Sequence, residues 1–352
     1  MAAISLGDPR LNRVKAPRSP HQHHHGVVLD EIEGLLRVYK DGHVERVPVV
    51  PEVPCTWSPE PDVVSRDVAL DLSTRIWARL YSPVGSGGGG LGRQSGRLPV
   101  LVYFHGGGFC VASAAWTCYH EFLARLASRA GCLVMSVNYR LAPEHRLPAA
   151  FEDGLTAVKW LRQQASHGHH DEAAHWWCGR CDLSRVFLGG DSAGATIAHH
   201  VAIQVSSQGI PVSPRGVILI QPFFGGEART ASENIPQPPG SVLSLVASDA
   251  YWRLSLPAGA SRDHPWCNPL AAGGVPSLEE LSLPAYFVCI SEMDILKDRD
   301  MELCRAMRRA GKSVEVAVHA GVGHAFQVLG TSRTSQSRAQ EMIAQLKCFL
   351  NR

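Results

Sequence analysis

The sequence predicts an α/β protein built on a mostly parallel sheet with helices on both faces, and three observations carry that prediction. From Val100 onward, short and nearly continuous apolar runs alternate with segments of helical periodicity. That is the pattern of strands buried on both faces. One of these runs, Val186-Phe-Leu188, passes through Gly190-Asp-Ser-Ala-Gly194 directly into a helical segment. Another, Leu101-Val-Tyr-Phe104, runs into three consecutive glycines, Gly106 to Gly108.

Size and composition agree with this. A chain of 352 residues is long enough for one large α/β domain with a modest second lobe, or for two ordinary domains. It is 45% hydrophobic and 19% charged with a formal net charge of +2, the balance of a soluble globular protein. Such a surface gives no reason to expect nucleic acid or an anionic membrane as partner. No N-terminal run resembles a signal peptide, and no stretch approaches the length of a membrane-spanning helix. The ten cysteines lack framework spacing and read as reduced thiols, so a cytoplasmic location is expected.

Taken in order, residues 1–26 are polar and end near His21-Gln-His-His-His25, a disordered tail. Residues 27–352 read as a single domain. Val28, Ile32, Leu35 and Leu36 fall on one helical face and predict a short amphipathic helix. Val38 to Pro51, punctuated by Lys40-Asp-Gly42, predicts a small hairpin, and Val63–Leu70 and Thr74–Tyr81 predict strands. Gly85-Ser-Gly-Gly-Gly-Gly90 satisfies G-x-G-x-x-G, but no helix follows, so it reads as a surface loop and no dinucleotide cofactor is expected. Further strands are expected at Val100–Phe104, Leu133–Asn138, Val186–Leu188, Val217–Ile220, Tyr286–Ile290 and Val314–His319. Helices are expected at Tyr119–Ala130, Ala149–Gln164, Ala193–Gln204, Arg299–Ala310 and Ser335–Leu350. The stretch from about 223 to 284, rich in Pro, Trp and Ser, interrupts the rhythm and predicts a cap over the carboxyl ends of the strands.

The chemistry is concentrated at strand ends. A strand that reverses into a helix within a few residues crowds its backbone. Glycines two places either side of Ser192 relieve that crowding and lift the serine into an exposed, strained turn. Its hydroxyl then lies near a helix N-terminus, where unpartnered N–H groups favour developing negative charge. An acyl-transfer serine also needs a base, a group to orient that base, and donors for the oxyanion. The candidate oxyanion hole is Gly106, Gly107, Gly108 and Ala193. Gly107, Gly108 and Ala193 are assigned as the donors, and Gly106 with His105 shapes the loop. The base is His324, alone among seventeen histidines in a glycine-flanked loop after a late strand and before the final helix. The orienting carboxylate is Asp294, directly after the strand Tyr286–Ile290. Asp298 competes for that role but reads as a helix cap, and Glu292 reads as solvent-facing. His167, His169, His170, His175, Cys178 and Cys181 contain one C-x-x-C without a second pair at fixed spacing, so no metal site is expected.

Five motifs in order carry a resemblance: His105-Gly-Gly-Gly-Phe109, Asn138-Tyr-Arg-Leu-Ala-Pro-Glu-His145, Gly190-Asp-Ser-Ala-Gly194, Asp294-Ile-Leu-Lys-Asp298 and Gly323-His-Ala-Phe326. From about Val27 to its end the chain resembles the hormone-sensitive-lipase family of α/β-hydrolases. Gln221-Pro-Phe-Phe-Gly-Gly-Glu-Ala-Arg-Thr230, Tyr251-Trp-Arg-Leu-Ser-Leu-Pro257 and Arg262-Asp-His-Pro-Trp-Cys-Asn-Pro269 are similar to the plant carboxylesterases within it. The resemblance implies an α/β-hydrolase fold, a triad of Ser192, Asp294 and His324, and a small-molecule ester substrate. It also implies that residues 27–50 fold over the site as part of a lid, and that Asn138 to Glu144 forms a structural network behind the oxyanion loop. Gibberellin receptors of the same fold have an apolar residue at the triad histidine and a serine ending the glycine run. His324 and Gly108 argue against that alternative here. Hydroxyisoflavanone dehydratases carry a threonine in the oxyanion loop, whereas Gly106 to Gly108 is intact. The expected activity is that of a cofactor-independent serine carboxylesterase.

Overall fold

The computed structural model describes residues 25–84, 96–166, 176–207, 213–271 and 277–352. Residues 1–24 of the expected tail, the glycine loop at 85–90 and the histidines of 167–175 lie outside the described residues. Three short strands, β1 (Val28–Ile32), β2 (Leu36–Tyr39) and β3 (Val44–Arg46), form a small antiparallel sheet. Then come β4 (Val63–Asp71), β5 (Ile76–Pro83), β6 (Leu98–Phe104), α1 (Thr117–Ala130), β7 (Leu133–Asn138), α2 (Ala149–Ser166) and β8 (Cys181–Asp191). They are followed by α3 (Ala193–Ser207), β9 (Gly216–Ile220), α4 (Ala231–Asn234), α5 (Leu245–Ser255), β10 (Ala285–Ser291) and α6 (Lys297–Arg309). The chain closes with β11 (Val314–His319), α7 (Phe326–Leu329) and α8 (Arg333–Leu350).

The eight-stranded sheet has the order β11-β10-β9-β8-β6-β7-β5-β4. Strands β6 to β11 are mutually parallel, while β5 runs antiparallel to β7 and β4 antiparallel to β5. Alternate residues of each central strand enter different cores. Val100, Val102 and Phe104 enter the core that also holds residues of α2, α3 and α6; Leu101 and Tyr103 enter the one that holds residues of α1 and α8. Both sets are 1% exposed or less, which explains why the strands read as continuous apolar runs. Each such side chain contributes roughly 1.5–3 kcal/mol on burial. Phe151, Leu155, Val158 and Leu161 are all buried, so the expected face of α2 is the observed one.

One local expectation is corrected. Residues 28–36 form the hairpin β1–β2, not an amphipathic helix. Gly34 at φ +74° turns the chain, and Ile32 pairs directly with Leu36, both 2% exposed or less. The spacing of four that suggested a helical face instead brings these two residues together across a turn. The hairpin expected from Val38 onward is observed as β2–β3 around the 40–43 turn. The cap region contains the helices α4 and α5.

Because β7 and β8 lie on opposite sides of β6, the chain order reverses there. In open α/β sheets ligands bind at such a reversal, beyond the carboxyl ends of the strands. The segments after β6, β8, β10 and β11 all emerge at that edge.

Candidate active site

Ser192 follows β8 directly, at φ +51° in the left-handed region, and its carbonyl already starts α3 by accepting from Ala195 and Thr196. Such strain persists only where the surroundings over-determine it. Here Gly190 and Gly194 supply that determination. A Cβ at Gly190 would meet the Gly194 backbone, and one at Gly194 would overlap the Phe104 carbonyl. The glycines therefore serve the close crossing of β6, β8 and α3.

Ser192 Oγ lies 2.9 Å from His324 Nε2, and His324 Nδ1 lies 2.7 Å from Asp294 Oδ2. Since a carboxylate only accepts, Nδ1–H donates to Asp294, and Nε2 is left to accept from the Ser192 hydroxyl. The other Asp294 oxygen accepts from Leu296 N–H at 3.0 Å. Burial pulls the His324 imidazole down, but the Asp294 carboxylate and its hydrogen bond, with Asp191 behind them, hold it above its ordinary value. The three residues predicted from the sequence are thus brought together in one hydrogen-bonded line.

The glycine loop lies beside Ser192, with Gly107 at φ +105° and Gly108 at φ +58°. Among the described residues, the N–H groups of Gly107, Gly108 and Ala193 donate to no protein acceptor. Gly106 belongs to the candidate hole only as a loop-shaping residue and not as a donor: its N–H donates to Tyr119 Oη at 2.8 Å and Asp191 Oδ1 at 3.1 Å and is not available to an oxyanion. It shapes the loop, as His105 does. Tyr139 donates to the His105 carbonyl at 2.8 Å and stacks on its ring at 4.3 Å. Asn138 holds Ala114 N–H, and Arg140 is anchored on Asp153, so the 138–144 segment does lie behind the loop.

Sequence reasoning missed two positions. Asp191 is fully buried and accepts from Tyr103, Tyr119 and Gly106, tying the residue before Ser192 to the glycine loop. Burial pushes its carboxyl up to about 6, against the opposing tyrosine hydrogen bonds. Gln221, at φ +48°, donates to Ser291 Oγ at 2.5 Å and accepts from Ala325 N–H at 2.7 Å. It links the ends of β9 and β10 to the residue after His324. The spacing within G-D-S-A-G was the available signal for Asp191; Gln221 had none.

The competitors for Asp294 lie elsewhere. Asp298 sits in the first turn of α6 but does not cap it; it accepts from Ser232 N–H of α4 at 2.7 Å. Exposed Glu292 braces the histidine loop through Gly321 N–H at 2.8 Å. Cys178 and Cys181 are described, and no metal-holding group of His, Cys, Asp or Glu occurs among the described residues.

A cavity of about 80 Å³ opens on Ser192, Gly107 and Gly108 and is lined by Leu35, Val49, Val50, Phe223, Leu243 and Tyr251. A second, of about 540 Å³, adjoins it on the side of His324 and Asp294. No helix among the described residues is long and apolar enough to cross a membrane.

Comparison with known proteins bears on this geometry. Residues 101–328 match the model of an α/β-hydrolase-fold family. The chain is 44% identical over 98% of its length to a probable carboxylesterase 6 of Arabidopsis thaliana, covering 98% of that protein. It is 36% identical to a 2-hydroxyisoflavanone dehydratase of Glycyrrhiza echinata, over 91% of this chain and 95% of that one. Among solved structures, an esterase of Pyrobaculum calidifontis matches with a TM-score of 0.66 and 26% identity, covering 83% of this chain and 86% of that one.

Proposed function

This chain belongs to the hormone-sensitive-lipase-like α/β-hydrolases and is a carboxylic ester hydrolase, and we propose that Ser192, His324 and Asp294 perform its chemistry. The observation that carries the proposal is the hydrogen-bonded line of 2.9 and 2.7 Å from Ser192 through His324 to Asp294. His324 takes the serine proton as Oγ attacks the ester carbonyl, and Asp294 keeps the imidazole in the tautomer that can accept it. The Gly107, Gly108 and Ala193 amides receive the oxyanion; loss of one such donor typically costs about 3 kcal/mol of barrier. The alcohol leaves with the proton from His324, and water then releases the acid from the acyl-enzyme in the same way.

The substrate is a small-molecule ester. We read residues 27–50 and about 223–284 as the cover of the site, a reading supported by the contribution of both to the cavity walls. The cytosol is the location we propose, in keeping with the absence of a disulfide among the described residues.

The test is turnover of p-nitrophenyl acetate by the native chain and by Ser192→Ala. Native turnover that disappears in the variant supports the triad. Absence of native turnover in a chain shown to be folded would favour the receptor or dehydratase alternatives.

A further inference from the structure

Away from the triad, a cavity of about 440 Å³ opens between α3, the 265–271 and 277–281 segments and the C-terminal end of α6. It shares no wall residue with either cavity beside Ser192 and His324. Three polar side chains of α3 stand in its wall: His199, His200 and Gln204. Each has a buried atom with no hydrogen-bond partner among the described residues, the Nε2 of both histidines and Gln204 Oε1. His199 is 0% exposed. Buried polar atoms are normally paired, because an unpaired one keeps the full cost of its lost hydration. Three such atoms around one cavity point to a ligand that brings their partners.

The neighbours of these atoms fix what each one offers. His199 Nδ1 lies 3.2 Å from Tyr286 Oη, itself buried. If Nδ1 held the ring proton, the tyrosine hydrogen and the Nε2 lone pair would both be left unpaired. With the tyrosine donating to Nδ1, only Nε2–H is left, so Nε2 presents a donor. The hydrogen bond of His200 to the Trp266 backbone favours its charged ring, so the partner is the carbonyl and Nδ1 donates to it. His200 Nε2 then presents a lone pair, as Gln204 Oε1 does. Burial pulls the His199 and His200 imidazoles down to about 4 and about 3, so both are uncharged at neutral pH. The charged residues of the wall, Glu279 and Arg309, are exposed and opposite in sign. An ionised ligand would lose hydration here without gaining a net counter-charge. Trp266, Pro265 and Pro269 add the flat and aliphatic surfaces that take an aromatic ring.

We infer that this cavity is a second binding site, separate from that of the ester, for an uncharged phenolic molecule with two hydrogen-bond donors and one acceptor. The donors meet His200 Nε2 and Gln204 Oε1, and the acceptor meets His199 Nε2–H. The ligand is bound and not transformed, and the site stands independently of the triad reading above.

Calorimetric titration of the native protein with 4-hydroxybenzamide at neutral pH tests it. Benzamide, which lacks the hydroxyl, and 4-hydroxybenzoate, an anion, are the comparisons. Saturable one-to-one binding is expected for 4-hydroxybenzamide, about 5-fold weaker for benzamide and about 10-fold weaker for the anion. Gln204→Leu removes one acceptor and is expected to weaken binding by about 5-fold, with p-nitrophenyl acetate turnover retained. Leu270→Trp, at a wall position 39% exposed, narrows the cavity without altering its buried atoms and is expected to weaken binding by about 10-fold in a folded protein. 4-Hydroxybenzamide is also expected not to compete with p-nitrophenyl acetate. Absence of saturable binding would mean that water alone meets the three atoms, and it overturns the inference. So does binding of the anion as tight as that of the amide, or binding unchanged in both variants. Competitive inhibition of ester turnover overturns it too, because it places the molecule at the triad.

Discussion

The floor of the site and its cover are held by different physics. Beneath Ser192 the contacts are steric and buried: Gly190 and Gly194 against the Phe104 carbonyl, and Asp191 clasped by Tyr103, Tyr119 and Gly106 at 1% exposure. Above it, β1–β3 and the cap are tied to the body and to each other by arginine–carboxylate pairs. Arg253 reaches Asp30 at 2.6 Å, Arg46 grips Glu144 at 2.6 Å and the Cys110 and Ala142 carbonyls, and Arg229 and Arg262 share Asp249. One partner of each of the first two pairs, Arg253 and Glu144, is well exposed, and exposed pairs are worth about 1 kcal/mol or less. The contrast teaches that the Ser192 turn is set by contacts that tolerate almost no change, while the cover adds singly removable ion pairs to a buried aromatic packing of Phe223, Tyr251 and Trp252.

The largest effect separates chemistry from folding. Ser192→Ala is expected to lower kcat by about 10⁶-fold without lowering Tm, because the variant only removes an oxygen from an already crowded turn. Gly194→Ala tests the steric floor. Its Cβ would overlap the Phe104 carbonyl, so overpacking of about 1–3 kcal/mol and a loss of about 100-fold in kcat/KM are expected together. Full activity at wild-type Tm would show that the crossing is looser than described.

The small apolar chamber is expected to limit acyl length. Across p-nitrophenyl esters kept below their aggregation limit, kcat/KM should peak at short chains and fall by about 100-fold toward palmitate. A maximum at palmitate would mean that the cover opens far more readily than the pairs holding it suggest.

Electrostatics sharpens the comparison further. With a non-ionising ester, kcat/KM is expected to rise with pH through the imidazole of the free enzyme, since imidazolium cannot accept the serine proton. That limb lies above the ordinary histidine value because Asp294 and Asp191 favour the charged ring. Asp191→Asn removes one of these negative charges, so the limb should move to lower pH. A limb that stays in place or moves up would remove Asp191 from the field at His324. The smallest effect concerns the cover: Arg253→Ala should cost about 0.2–1 kcal/mol, read as a small fall in Tm, with p-nitrophenyl acetate turnover retained.

Much of the floor was legible because its signals are local. G-x-S-x-G, the glycine run and the late histidine loop each state their constraint within a few residues, and the order Ser192, Asp294, His324 follows the strands. The cover was less legible. A four-residue spacing at 28–36 is shared by helices and tight hairpins, and only the Ile32–Leu36 pairing decides between them. Asp298 carried the composition of a helix cap, yet its partner is Ser232, in a separate segment of the chain.

By itself, then, the sequence determined the alternating α/β framework, the crowded serine turn and the residues of the hydrogen-bonded line Ser192–His324–Asp294, because periodicity and glycine placement act over short stretches of chain. Only the tertiary structure decided that the Gly106 N–H is already taken, that Asp191 joins the Ser192 turn to the glycine loop, and that Gln221 steadies the histidine loop. Those outcomes depend on which buried donor finds which acceptor. In each case the partners are far apart in the chain and meet only when the strands align.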